Sequence, residues 1–525
     1  MTAAIVEAGV YFLLLFTPFA FGGVEGWATG ILQGVAGAVF VAWAWNRLEV
    51  PPGGAGIDRR GKVGAGRRLV VLWAAIALFV LLMIFQITPL PPGWIATLSP
   101  ATGDLYASTF PHYREGRDSD LAELPEWLVA SRADGIPIHV EPGAEKEVLH
   151  PPVATSGFDT VASARRSLSI YPSITRERLE LLLSLIAVFA VVAGHFNTPD
   201  RLSRLLGVCV FSGLAISVFG ILQKFDWNGK LYWVREGNYS APFGPFVDRN
   251  TYAAFAGTIL PIAICATFSA RRQLGKGRSE ALPLLFFHGF ASVAMLGGIF
   301  YSLSRGGMIS TSVSIAAVAA LLLYYRGQRA ELAALAGILI IGASFLAWIG
   351  PETVFERVGT LSQGQNTPSL ELRIAAWGRA MDLVTDRPLF GSGLGTFPFA
   401  FMRYAPAGRS WWNIAHNEYI EVLCDSGIVG GSICLIGLVA WLMLVSRPGL
   451  FRGRPDRYTY AGLVAGIAAL LLHSAVTSNL QVPANSLLLT VLGAALMNLV
   501  IRQESRSSKG DDGDAEGRRR RSANP

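Results

Sequence analysis

Twelve stretches of this chain are apolar over about the 20 residues needed to cross the hydrocarbon of a bilayer, and no other feature constrains the fold as tightly. They lie near 5–22, 27–46, 69–88, 179–196, 203–223, 251–270, 281–301, 307–325, 331–350, 417–445, 459–477 and 484–501. In lipid every backbone N–H and C=O must find a partner inside the protein, so runs of this length are read as helices. Gly and Ala are frequent in them, which lets helices approach closely where lipid gives no hydrophobic drive to associate. With 52% hydrophobic and only 15% charged residues among 525, a soluble globular class is excluded. The expected fold class is an all-α polytopic membrane protein of about 12 transmembrane helices.

The first apolar run has no Lys or Arg before it and no small-x-small cleavage site after it, so it reads as a retained span and not a signal peptide. The organisation that follows is spans 1–3 (1–88), a large loop (89–178), spans 4–9 (179–350), a second long loop (351–416), spans 10–12 (417–501) and a polar tail (502–525) expected to be disordered. Lys and Arg set the orientation. The short segments 47–68, 197–204, 271–280, 326–330 and 446–458, with the tail, hold 25 of the 44 basic residues, and the opposite short loops 22–26 and 478–483 hold none. Both termini are therefore expected in the cytoplasm, and both long loops in the periplasm of a bacterial inner membrane. The RRRR of the tail reads as an orientation anchor beside the bilayer, and no nucleic acid is needed to explain the net charge of +7. Cys209, Cys265, Cys424 and Cys434 fall inside spans without metal-ligand spacing and read as buried hydrophobes.

Three stretches on the outward face are unusually polar. Arg249 and Asn250 directly precede the sixth span. Arg305 is the one charge in the tight YSLSRGGMIS connection (301–310), where insertion at bilayer depth costs roughly 2.5–3.5 kcal/mol. No acidic residue lies near it in sequence, and Gly306 and Gly307 allow close backbone approach, so it is a candidate anion site; the plainer reading is a snorkelling hairpin anchor. Two arginines offering planar forks on one face suit a phosphate or diphosphate.

The third stretch is the 351–416 loop. Residues 369–388 place Leu370, Ile374, Trp377, Met381 and Val384 on one helical stripe, with Arg373, Arg379 and Asp382 off it, as expected for a helix lying in the outer interface. FGSGLGTF (390–397) lacks the strand and helix of a phosphate cradle and reads as a flexible turn. His416 opens the tenth span beside Glu418 and Glu421, without the second imidazole of a metal signature. Asp118-Ser119-Asp120 matches a D-x-D pattern, but its charged surroundings read as a solvated loop. His112, His139 and His150 share that loop without useful spacing, and His473 reads as a packed, hydrogen-bonded histidine.

DRNTYAAF (248–255), SLSRGGM (302–308), RIAAWGRAMDLVTDRPLFGSGLGTF (373–397) and AHNEYIEVLCDSGIVGG (415–431) together resemble the O-antigen ligase and polymerase superfamily of bacterial envelope glycosyltransferases over about 249–500. The resemblance implies a GT-C-like bundle that moves a glycan from undecaprenyl diphosphate to an acceptor hydroxyl, on a glycan or on a lipid A core, at the periplasmic side. It implies no metal and no other cofactor. His416 falls on the family's loop histidine, expected to activate the acceptor hydroxyl; Arg305 and Arg249 fall on arginines expected to hold the diphosphate. Glu418 and Glu421 are candidates to orient the histidine, and Arg373 and Asn250 are supporting candidates. Ligase, polysaccharide polymerase and protein glycan transferase stay open, as does a polytopic solute transporter, although no internal repeat of the transporter kind is evident.

Overall fold

The computed structural model describes residues 2–49, 62–110, 113, 119–120, 161–162, 165–237, 241–325, 329–349, 368–405 and 413–522. Nearly all of them are helical. The helices are α1 (Thr2–Phe19), α2 (Gly26–Glu49), α3 (Lys62–Ile87), α4 (Pro92–Leu98), α5 (Pro100–Thr109), α6 (Pro172–His195), α7 (Pro199–Phe225) and α8 (Arg249–Leu274). They continue as α9 (Ala281–Tyr301), α10 (Arg305–Tyr324), α11 (Arg329–Ile349), α12 (Pro368–Asp386), α13 (Phe397–Ala400), α14 (Glu418–Val445), α15 (Arg457–His473) and α16 (Pro483–Ser522). The one ladder among the described residues is two residues long on each side, β1 (Ser119–Asp120) antiparallel to β2 (Val161–Ala162).

Each of the twelve apolar runs falls on a helix, and ten of these are long and apolar enough to cross a membrane. Of the remaining two, α15 has 17 residues. Large apolar side chains such as Leu48, Phe286, Phe290 and Leu435 stand on the outside of the bundle, where lipid and not water is their natural neighbour. The chain is a multi-pass membrane protein.

The bundle is built around α8. Its membrane-length stretch is 89% buried against 22% for α2, and it packs on α9 and α15. The α15 contact depends on small residues: a Cβ at Gly466 would stand 2.2 Å from the carbonyl oxygen of Thr258, and one at Gly462 would stand 2.9 Å from the Cα of Ile262. Helix starts follow local chemistry. Proline stands in the first turn of α6, α7 and α16, and the side chains of Asp248, Ser304 and Asn417 accept the free N–H groups that open α8, α10 and α14.

Two expectations change. Beyond residue 501 the last helix runs on to Ser522, and Arg502 and Gln503 both donate to Asp456, at 3.0 and 2.6 Å, holding its first turn past the span to the base of α15. Cys434 faces the exterior of the bundle, whereas the other three cysteines are buried, and all four are free. The D-x-D stretch divides: Ser119 and Asp120 form β1, and Asp118, like His112, His139 and His150, lies outside the described residues.

Candidate functional site

At the end of the bundle away from the N-terminus, α8 and α10 begin side by side. Arg249 is the first residue of α8 and Arg305 the first of α10. The Ser304 hydroxyl donates to the Asn250 side-chain oxygen at 2.7 Å and also accepts the Gly307 N–H at 3.2 Å, joining the two starts. Two helix N-termini thus converge with an arginine on each, an arrangement favourable to negative charge. Asn250 thereby braces the turn that carries Arg305.

Arg373 joins them from α12. The sequence pattern put it off the apolar stripe, but the buried stripe of α12 is Ala376, Ala380, Leu383 and Val384, while Ile374 and Met381 are exposed. Of the expected stripe, Val384 is buried and Trp377 half-buried while Ile374 and Met381 turn outward, and the small residues Ala376 and Ala380, which the pattern left out, pack inward. Arg373 lies along the inward face, half-buried, and donates to the Val476 carbonyl at 2.9 Å. Its charge is close enough to act on Asp248 and Arg305, and Arg305 likewise acts on Arg249. Burial lowers the Arg373 guanidinium from its ordinary value; Asp248 opposes that shift and Arg305 adds to it.

His416 stands next to this cluster. It is half-buried, its Nδ1 is enclosed without a hydrogen-bond partner among the described residues, and its φ is 53°. For a side chain of this size the left-handed region costs about 1–2 kcal/mol and persists only where the surroundings hold it. They do so from both sides. The Trp377 indole donates to the Ala415 carbonyl at 2.8 Å, the Ala415 N–H donates to the Glu421 carboxylate at 3.0 Å, and the Asn417 side chain caps α14 through Tyr419 and Ile420. Burial first, and the charge of Arg373 second, lower the His416 imidazole to about 4.

Among the described residues neither glutamate is hydrogen-bonded to the imidazole. Glu421 holds Ala415 and accepts the Ser478 hydroxyl at 2.6 Å; Glu418 accepts the Leu480 N–H at 2.9 Å, and its own N–H donates to Ser474 at 2.9 Å. Both are buried and both fasten the start of α14 to the turn after α15. Arg178 of α6, which drew no attention in the sequence, supplies positive charge near Glu418, Glu421 and Asp425.

The glycine-rich 390–397 segment is also firmly held. Inside α14 the helix breaks at Gly427 (φ 63°, ψ −169°). The N–H groups of Ile428 and Val429 turn to Pro388 and Leu389, and the carbonyls of Cys424 and Asp425 accept Ser392 and Gly393. Gln86 of α3 bridges both strands of chain, donating to Phe390 and to Asp425. A broken helix is tolerated at membrane depth only where the freed backbone groups are satisfied in this way. The expected flexible turn is therefore the fitted counterpart of the α14 break.

His473 departs from its expected role as well. It is buried, neither ring nitrogen has a hydrogen-bond partner among the described residues, and a Cβ at Gly306 would stand 2.8 Å from its Nε2. It lies behind the Arg305 turn, within reach of the Arg373 charge. Trp411 and Trp412 lie outside the described residues.

No curated protein matches the chain. Residues 290–435, which run from α9 into α14 and include Arg305, Arg373 and His416, match the family model described as O-antigen ligase.

Proposed function

We propose that the chain is a membrane glycosyltransferase that moves a glycan from a polyprenyl (undecaprenyl) diphosphate carrier to an acceptor hydroxyl, at the periplasmic face of the bacterial inner membrane. The observation that carries this reading is the meeting of Arg249, Arg305 and Arg373 with the strained, enclosed His416 on one wall. The outward assignment of that wall rests on the distribution of Lys and Arg among the short loops.

In this mechanism the acceptor oxygen forms a bond to the anomeric carbon of the donor sugar as the bond from that carbon to the diphosphate oxygen breaks. His416 takes the acceptor proton, a role worth roughly 10²–10⁴-fold. Arg249 and Arg305 hold the diphosphate and, with Arg373 and the two helix N-termini, stabilise the charge it gains on leaving. Binding of the dianion offsets the Arg373 charge beside the imidazole, so the base strengthens as the donor arrives. The same chemistry serves a lipid A-core ligase, a polymerase of repeat units and a protein glycan transferase, which differ in the acceptor.

Transfer of a labelled glycan from its lipid diphosphate by the purified chain in detergent tests the reading. Product formation that is lost per folded molecule in His416→Ala and persists in EDTA is expected. Carriage of free sugar or nucleotide-sugar into proteoliposomes, with no transfer, would overturn it in favour of transport.

A further inference from the structure

At the opposite end of the bundle, where α1 begins, a cavity of about 910 Å³ opens between α2, α3, α6 and α16. Trp43, Trp73 and Ile501 give it apolar walls, Arg47, Arg502 and Arg506 line its polar side, and none of its lining residues is acidic. A second cavity of about 350 Å³ shares Trp43 and Arg47 and adds Arg201.

The arrangement is built. Gly194 of α6 lets the Trp43 ring lie flat on the helix, since a Cβ there would stand 2.4 Å from the indole. Arg47 lies over that ring at 5.4 Å and donates to the Gly194 carbonyl at 2.8 Å. Arg502 and Arg506 share one carboxylate, Asp456, at 3.0 and 3.9 Å, so positive charge is left over on this side. This also accounts for the position of the α16 extension past the last apolar residues: it carries Arg502 and Arg506 to the cavity.

We propose that this cavity seats the headgroup of an anionic phospholipid from the adjacent leaflet, with its acyl chains along the outer faces of α2, α3, α6 and α16. Guanidinium forks match a phosphodiester, indole rings favour the boundary between headgroup and hydrocarbon, and the volume is that of a ligand pocket. Free inorganic phosphate would use the arginines but leave the tryptophan-lined walls unoccupied, so the walls favour a lipid. The site is far from His416 and does not depend on the reaction proposed there.

The test uses the full chain in a neutral detergent, with phosphatidylglycerol, phosphatidylcholine or inorganic phosphate added, read by melting midpoint and by native mass spectrometry of retained lipid. Phosphatidylglycerol is expected to raise the midpoint and be retained over phosphatidylcholine, with phosphate alone inactive. Each arginine near a lipid surface is worth about 1 kcal/mol, so Arg47→Gln should weaken phosphatidylglycerol retention about five-fold, and Arg502→Gln with Arg506→Gln further. Equal retention of phosphatidylcholine, an equal shift with phosphate alone, or unchanged retention by Arg47→Gln would each overturn the proposal. The comparison of lipids on the unaltered chain stands even if the double variant fails to fold.

Discussion

The Glu421 carboxylate accepts the backbone N–H of Ala415 at 3.0 Å, one residue before the histidine. A buried acid that grips the backbone of a strained residue fixes where that residue's ring can stand. The same oxygen takes the Ser478 hydroxyl at 2.6 Å, so the loop carrying His416 and the turn after α15 share one anchor.

Glu421→Ala leaves two buried donors without an acceptor, each costing about 1–3 kcal/mol. Its rate of transfer per folded molecule is expected to fall about 10²-fold, the effect of an ångström-scale displacement of the base. Glu421→Gln keeps an oxygen that can accept both bonds and should stay within about ten-fold of the unaltered enzyme. A full rate in folded Glu421→Ala would remove the positioning role.

Arg305→Lys keeps the charge at the start of α10 but replaces a planar fork with a point donor. Loss of about ten-fold or more in transfer is expected, with the melting midpoint nearly unchanged. Near-normal transfer would reduce Arg305 to an anchor of the hairpin.

The pH dependence has a definite sign. An imidazole lowered to about 4 remains neutral, and able to accept a proton, well below the usual histidine range. The kcat/KM profile, which reports the free enzyme, should therefore be flat from neutrality to about pH 5 and fall as pH approaches about 4. Arg373→Gln removes a positive charge that disfavours protonation, so its acid limb should move to higher pH even as its overall rate drops. An acid limb at pH 6 to 7 in the unaltered protein would contradict the enclosed position of His416.

Gly427→Ala tests the fit between the two glycine-rich segments. A Cβ there would meet the Leu389 carbonyl oxygen at 2.4 Å with φ at +63°, and that backbone is tied down by hydrogen bonds. A loss of about 2 kcal/mol or more is expected, visible as a lower melting midpoint. Gly277→Ala, at φ +80° with open space around it, should cost only the local strain of about 1 kcal/mol.

Orientation is checked with reporter fusions at residues 60, 140 and 515. The first and last should report cytoplasmic and the middle one exported. Inversion of that pattern would put His416 on the wrong side for the proposed chemistry.

Length and apolarity alone placed the helices, because a chain in hydrocarbon has no other way to satisfy its backbone, and the caps at Asp248, Ser304 and Asn417 are local choices readable from adjacent residues. The resemblance carried by four motifs singled out His416, Arg305 and Arg249 as candidates without any view of space. What the sequence alone did not determine were relationships across hundreds of residues. The buried face of α12 is shifted from the expected stripe: Val384 stays inside, but Ala376 and Ala380 permit close packing where the bulkier Ile374 and Met381 turn outward, and this places Arg373 at the inward side. The glycine-rich 390–397 segment reads as a flexible turn in sequence, but the chain at 388–393 completes the hydrogen bonds that the break at Gly427 frees, a pairing across sequence that no local pattern shows. The roles of Glu421 and Arg178 stayed hidden for the same reason: a buried charge is explained by its partners, and tertiary packing alone supplies them.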